Sequence, residues 1–211
     1  MRNQMLIIGS KGGVGKECVK YFSMIYEVIT ISRDEGDLRD KNFLKTLVDK
    51  YNPSVVINCA GVYQKDFYET FESNFLSASF LTLEFYKKMK RGHIINICSS
   101  GANSSGWPGI EYDRLTYNVS KSSLKKFSNM LQSSKNNSVK VTTLEPAQIN
   151  TSMGDRTFKG NIDENQYEKQ TEKLVPMKPS YVAKVVDWIL NQPDPVVISS
   201  IEIQNFIVNQ E

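Results

Sequence analysis

The chain has 211 residues, 40% apolar and 23% charged, which is the makeup of one compact domain with room for a substantial core. Its formal charge of +3 is small and scattered, which argues against a dedicated nucleic-acid binder. No apolar run approaches the ~18 residues of a membrane span, and Met5 to Ile8 is too short for a signal-peptide core, so a cytoplasmic protein is expected.

The three cysteines, Cys18, Cys59 and Cys98, form no CxxC and suit a reducing compartment as small buried hydrophobes. The single histidine, His93, opens an apolar run and reads as structural. One histidine and scattered cysteines make no metal site, and they leave a thiol nucleophile poorly served by a base. The basic run Lys87-Lys88-Met89-Lys90-Arg91 reads as the solvated C-terminal end of a helix, where cations complement the dipole.

Gln4 to Gly9 is a short apolar run that reads as a buried strand. The turn Gly9-Ser10-Lys11-Gly12-Gly13-Val14-Gly15 follows, and then helical spacing to Met24. Strand, glycine turn and helix form the context in which a glycine motif has meaning. The glycines let backbone approach a pyrophosphate, and the helix N-terminus offers N–H groups and a positive dipole end. Glu17 stands where a Walker loop needs Ser or Thr.

Glu27 to Ser32 is the second strand. An acid just beyond it binds the adenosine 2′-hydroxyl, whereas an arginine accepts a 2′-phosphate. Arg33 comes first here, with Lys11 as a second cation, so NADP(H) is preferred; Asp34 keeps NAD(H) open. The segment to Asp40 is too short for a crossover helix and a full return strand, leaving a vestigial strand near Asp37 and Leu38. Asp40 is the N-cap of a helix to Lys50. Ser54 to Asn58 is a buried strand ending in Asn58-Cys59-Ala60-Gly61, whose small residues permit close approach of a cofactor.

Phe67 to Met89 is a long helical pattern with Asn74 at a core-facing step, where an amide usually has a hydrogen-bonding task. His93 to Ser99 is a strand with Ser100 just past its end, the place where open α/β sheets carry reactive groups. A loop from Gly101 to Thr116 leads into a helix bearing Tyr117 and Lys121. These two share a helix face about one turn apart, and an ammonium favours a nearby phenolate. The same spacing at Tyr86 and Lys90 lacks a serine-bearing strand end before it. Ser138 to Glu145 is a strand, 151–176 a polar substrate loop, Pro179 to Asn191 a helix, and Val196 to Ile203 a last strand. One domain, 1–211, holds all of this.

Taken together, these residues resemble the short-chain dehydrogenase/reductase family. The likeness rests on Gly9, Gly13 and Gly15, on Asn58 to Gly61, on Ser100, on the Y-x-x-x-K pair, and on Pro146 with Thr151. It implies an α/β fold with a single Rossmann-like doubly wound parallel sheet, ordered 3-2-1-4-5-6-7 with the third strand vestigial. It implies a catalytic group of Asn74, Ser100, Tyr117 and Lys121. Tyr117 would exchange a proton with the substrate oxygen during hydride transfer, Lys121 would depress its pKa and bind the nicotinamide ribose, and Ser100 would hydrogen-bond the carbonyl. The implied cofactor contacts are Gly9, Lys11, Gly13, Val14, Gly15, Arg33, Asp37, Leu38, Asn58, Ala60, Gly61, Tyr117, Lys121, Pro146, Ile149 and Thr151.

The chain departs from the family pattern at Ile8, Gly12 and Ala147, in the shortened crossover, and in a long Ser100-to-Tyr117 interval that lets Ser99 or Ser104 compete with Ser100. The resemblance implies an NADP(H)-preferring oxidoreductase acting on a small carbonyl or alcohol. A sugar-nucleotide ketoreductase and a non-enzymatic dinucleotide-binding regulator are the alternatives. It also implies a homodimer or homotetramer through the two long helices, with Phe75, Leu81, Phe85, Leu124 and Phe127 available, though core packing is the simpler use of these residues.

Overall fold

A computed structural model describes residues 3–64, 66–104, 112–134, 138–153 and 175–206. The chain runs β1 (Gln4–Ile8), α1 (Gly13–Phe22), β2 (Glu27–Ile31), α2 (Lys41–Lys50) and β3 (Val55–Asn58). It continues with α3 (Phe67–Phe71), a π turn (Glu72–Leu76), α4 (Ser77–Lys88), β4 (Arg91–Ile97) and a 3-10 turn (Ser100–Asn103). Last come α5 (Tyr112–Ser133), β5 (Ser138–Pro146), α6 (Pro179–Leu190) and β6 (Ser200–Ile203).

The six strands form one parallel sheet in the order β2-β1-β3-β4-β5-β6. Its central strands are apolar on both faces because alternate residues serve different layers. Met5, Ile7, Val55, Ile57 and Ile95 meet Cys18 and Phe22 of α1 and Val182 and Val186 of α6. Leu6, Ile8, Val56, Ile94 and Val141 meet Leu44 and Leu47 of α2 and Leu81 and Phe85 of α4. Leu124 of α5 closes a smaller cluster with Ala78 and Cys98. Leu81, Phe85 and Leu124 are core residues, each 1% exposed or less, which is the simpler of the two uses their sequence allowed.

The vestigial third strand does not form. Asp37 and Leu38 lie in a turn, and β2 is the edge of the sheet among the described residues. Ser32 still caps like the start of a helix: its N–H and hydroxyl donate to Glu35 Oε2 at 2.6 and 2.7 Å, and its hydroxyl accepts from Asp34 N–H at 3.2 Å. Gly36 and Asp37 follow at once and the chain turns instead, with Asp40 capping α2 through the Asn42 N–H at 2.8 Å. Arg39 ties this turn to the rest of the molecule by binding Asp37 at 2.8 Å and Glu69 of α3 at 2.7 Å.

The single helix expected from Phe67 to Met89 is instead interrupted by the π turn, and Asn74 sits in the middle of it. A π turn inserts one residue into the helical ladder and re-aims the side chains around it. The last strand is shorter than expected, beginning at Ser200, and residues 154–174 of the expected substrate loop lie outside the described residues. No helix among the described residues is long and apolar enough to cross a membrane.

Candidate active site

The strand order reverses between β1 and β3, the switch point where open α/β sheets bind ligands in a crevice beyond the strands' carboxyl ends. Gly9 has φ +80°, a conformation that favours glycine, and a Cβ on it would lie 2.6 Å from Ala60 N. A Cβ on Gly15 would lie 2.2 Å from the Gly9 carbonyl oxygen. Turn, helix and the Asn58 to Gly61 stretch are thus in backbone contact, which only small residues allow. Gly12 is the N-cap of α1 and no side chain caps that end, so the first-turn N–H groups and the dipole form an anion cradle. These residues fit the pyrophosphate of a dinucleotide. Thr151 covers the turn from the far side, since a Cβ on Gly13 would lie 2.4 Å from its methyl carbon. Pro146 ends β5, and Ile149 bridges to Met177.

Beyond β2, Arg33 is exposed, while Lys11 is ion-paired with Asp34. Lys11 is therefore partly neutralised by the acid that the sequence set against it. Asp37 is held by Arg39, and Leu38 packs on the core under α2.

On the other side of the crevice the sheet and α5 meet. On α5 the Lys121 side chain is buried and Tyr117 half-buried, and the Lys121 Nζ lies 6.0 Å from the centre of the Tyr117 ring. Lys121 donates to the Ile97 carbonyl at 3.0 Å, a group freed where β4 ends. A Cβ on Gly61 would lie 3.1 Å from Lys121 Nζ and 3.4 Å from Asn74 Oδ1, so both groups converge on that glycine. Asn74 is fully buried and fully used: it accepts from Val62 N–H at 2.7 Å and donates to Val62 O at 2.9 Å and Ser120 Oγ at 3.1 Å. Ser120 in turn donates to the Tyr117 carbonyl at 2.7 Å, linking the π turn to the tyrosine's own helical turn.

Of the three candidate serines, Ser99 is the one that acts on the pKa of the phenol, lowering it. Its hydroxyl accepts from Gly101 N–H at 3.1 Å, while Ser100 opens the 3-10 turn. The strand ends two residues earlier than expected, at Ile97. Ser104 lies at the end of the turn. Two partners gave no signal in the sequence. The Tyr63 ring packs 5.5 Å from that of Tyr117, and Ser120 relays Asn74 to α5. Tyr63 lies in an irregular segment with no periodicity, and Ser120 is one serine among many in a polar stretch.

Burial pushes the Tyr117 phenol up to about 12, and the Ser99 hydrogen bond pulls against it. Burial also pushes the Lys121 ammonium down. Lys121 is not among the groups that shift the phenol in the chain alone, so the expected depression does not appear and desolvation sets the direction. Burial holds Cys98 at about 12, and Cys59 is raised by its hydrogen bond with Cys18, so neither thiol is a ready nucleophile. His93 is buried against Thr142 and away from the crevice. Tyr86, the rival at the same spacing, spends its hydroxyl on the Ser134 carbonyl at 3.2 Å.

The family model for short chain dehydrogenases matches residues 35–161. NADP-dependent 3-hydroxy acid dehydrogenase YdfG of Escherichia coli K12 is 31% identical over 113 residues, which are 53% of this chain and 43% of that protein. The Shigella flexneri protein of the same name matches equally. The chain thus aligns with less than half the length of the curated relatives it matches. Among solved structures, the closed form of a serine dehydrogenase complexed with NADP+ superposes with a TM-score of 0.77 at 22% identity, covering 95% of this chain and 94% of that one. ElxO with NADP bound gives 0.78 at 19% identity, covering 97% and 98%. These superpositions carry the fold, and the family model spans more than half of the chain: it belongs to the short chain dehydrogenase family.

Proposed function

We propose that this chain is an NADP(H)-preferring oxidoreductase that moves hydride between the nicotinamide and a small carbonyl or alcohol, with Tyr117 as the acid/base. The carrying observation is the convergence of Lys121 and Asn74 on Gly61 with the Tyr117 ring 6.0 Å from Lys121 Nζ, opposite a glycine turn that fits a pyrophosphate. When bound, the nicotinamide supplies or accepts the hydride. Tyr117 gives its proton to the carbonyl oxygen in reduction and removes one from the alcohol in oxidation. Ser99 donates to the same oxygen as charge develops on it, a contribution that grows in a water-poor site. Lys121 holds a positive charge near the phenol that favours its ionised form. Asn74 fixes the backbone at Val62 and, through Ser120, the helical turn that carries Tyr117.

Arg33 and Lys11 beyond β2 support NADP(H), as do the names of the curated relatives and of the superposed serine dehydrogenase and ElxO complexes. The same names make 3-hydroxy acids the first substrates to try. Three free thiols suit a reducing cytoplasm. Leu76, Leu115, Val119 and Met130 are exposed apolar residues on the π turn and α5, and they support a homo-oligomer through that face.

The test is Tyr117→Phe, assayed by NADPH oxidation over aldehydes, ketones and 3-oxo acids. Turnover is expected to fall by at least about a hundredfold, the usual weight of one acid/base group, with NADPH affinity retained. Full turnover in that variant would remove Tyr117 from the mechanism.

A further inference from the structure

Helix α5 carries two stripes. Tyr117 and Lys121 form one, and Asn118, Ser122 and Lys125 form its neighbour at steps of four and three. Three successive residues of the 3-10 turn lie along the second stripe. A Cβ on Gly101 would lie 2.3 Å from Asn118 Oδ1, so the turn backbone is pressed on that amide. Ser122 Oγ donates to the Ala102 carbonyl at 2.6 Å. Lys125 Nζ donates to Asn103 Oδ1.

The far end of the turn is held from beneath as well. Asn103 Nδ2 donates to Glu145 Oε2 at 2.8 Å and to Glu202 Oε2. Lys125 meets the same Glu145 oxygen at 2.8 Å, while Glu145 Oε1 accepts from Thr143 Oγ1 at 2.8 Å and from Ser200 Oγ. Glu145 is 1% exposed, and its four donors outweigh burial and hold it ionised. A buried ion pair is weak as a stabiliser, because taking two charges out of water costs about what their attraction returns. It does fix direction, and this one joins β5, β6, α5 and the turn at a single point.

The near end of this turn is Ser99, locked by its own bond to Gly101 N–H. We propose that Asn103, clamped by Lys125 and Glu145, is a positioning residue that sets the Ser99 hydroxyl against the Tyr117 phenol. This rests on the reading of Ser99 and Tyr117 as the reacting pair. Asn103 does not reach the phenol itself; it fixes the register of the turn along α5, and Ser99 moves with that register.

The experiment is a double-mutant cycle of Asn103→Ala and Ser99→Ala. Asn103→Ala leaves the Lys125–Glu145 pair in place, so the fold keeps its buried charge partnered. Three quantities are read: kcat for carbonyl reduction, NADPH affinity, and the carbon-13 ζ resonance of Tyr117 at neutral pH, assigned by its loss in Tyr117→Phe. The resonance reports hydrogen bonding to the phenol and needs no substrate. Asn103→Ala should lower kcat by about 10- to 100-fold, the scale of a sub-ångström misplacement, with NADPH affinity unchanged. Its Tyr117 resonance should move in the same direction as in Ser99→Ala. In the Ser99→Ala background, Asn103→Ala should cost less than about twofold, because coupled residues are not additive. Equal costs in both backgrounds, or an unmoved resonance in Asn103→Ala, would overturn the positioning role. A Ser99→Ala variant that leaves both kcat and the resonance unchanged would instead overturn the underlying reading of Ser99.

Discussion

Acid should destabilise this chain through its one histidine, by an amount that can be worked out in advance. His93 is 7% exposed, and its Nε2 lies 2.7 Å from Thr142 Oγ1. Thr142 spends its own proton on the Ile198 carbonyl, so the imidazole is the donor and stands as the neutral Nε2–H tautomer. Burial, helped by Lys140, pushes its pKa down from 6.5 to about 4. Between those values the unfolded chain binds a proton that the folded chain refuses. Stability from this group is therefore complete above pH 6.5 and is lost as pH falls toward 4. With one pKa unit worth 1.36 kcal/mol, the loss is about 2 kcal/mol by pH 5 and about 3 kcal/mol by pH 4.

Several carboxylates with lowered pKa values, Glu145 among them, also lose stability in acid, so the histidine has to be isolated by difference. Urea unfolding of wild type and His93→Gln at pH 7, 6, 5 and 4 does this, because glutamine keeps a donor toward Thr142 and cannot titrate. The gap between the two curves should close by about 2 kcal/mol between pH 7 and pH 5. A single imidazole resonance in the folded chain should report a pKa near 4. Superimposed pH slopes, or a native-state imidazole that titrates near 6.5, would refute the reasoning.

Gly15→Ala should abolish dinucleotide binding and destabilise the fold by about 1–3 kcal/mol, because the new methyl meets backbone at 2.2 Å and neither partner can yield; calorimetric unfolding with and without NADPH checks both effects. NADPH should raise the melting temperature more than NADH at equal concentration, and Arg33→Gln should erase that difference. Asp34→Asn should widen it instead, by releasing Lys11 from its ion pair; a narrower difference in that variant would show that Lys11 does not meet the 2′-phosphate.

Much of the architecture was legible because the signals are local. Period and composition mark Met5 to Ile8 and Val55 to Asn58 as buried strands, and Gly9, Gly13 and Gly15 mark the turn between β1 and α1. The helical interval of Tyr117 and Lys121 is itself a statement of geometry. The missing third strand was legible only as a shortage of residues. That the chain there makes a capped turn braced by Arg39 depends on Glu69, thirty residues away, which no local pattern reveals.

The serine shows the limit most clearly. Ser99 and Ser100 are adjacent and chemically identical, so chain position could not choose between them. The proposal of Ser99 rests on how the turn after β4 lies along α5, which only the tertiary structure gives. The same holds for the phenol's environment: its desolvation, which sets the direction of its pKa, is a property of packing from Tyr63, Cys98 and Ser99 together. The residue types and their order were enough to name the family pattern and most of the groups in the crevice. Which hydroxyl meets the phenol, and how far its pKa is shifted, were decided only when distant segments came into contact, since both depend on desolvation and on distances that the linear chain does not contain.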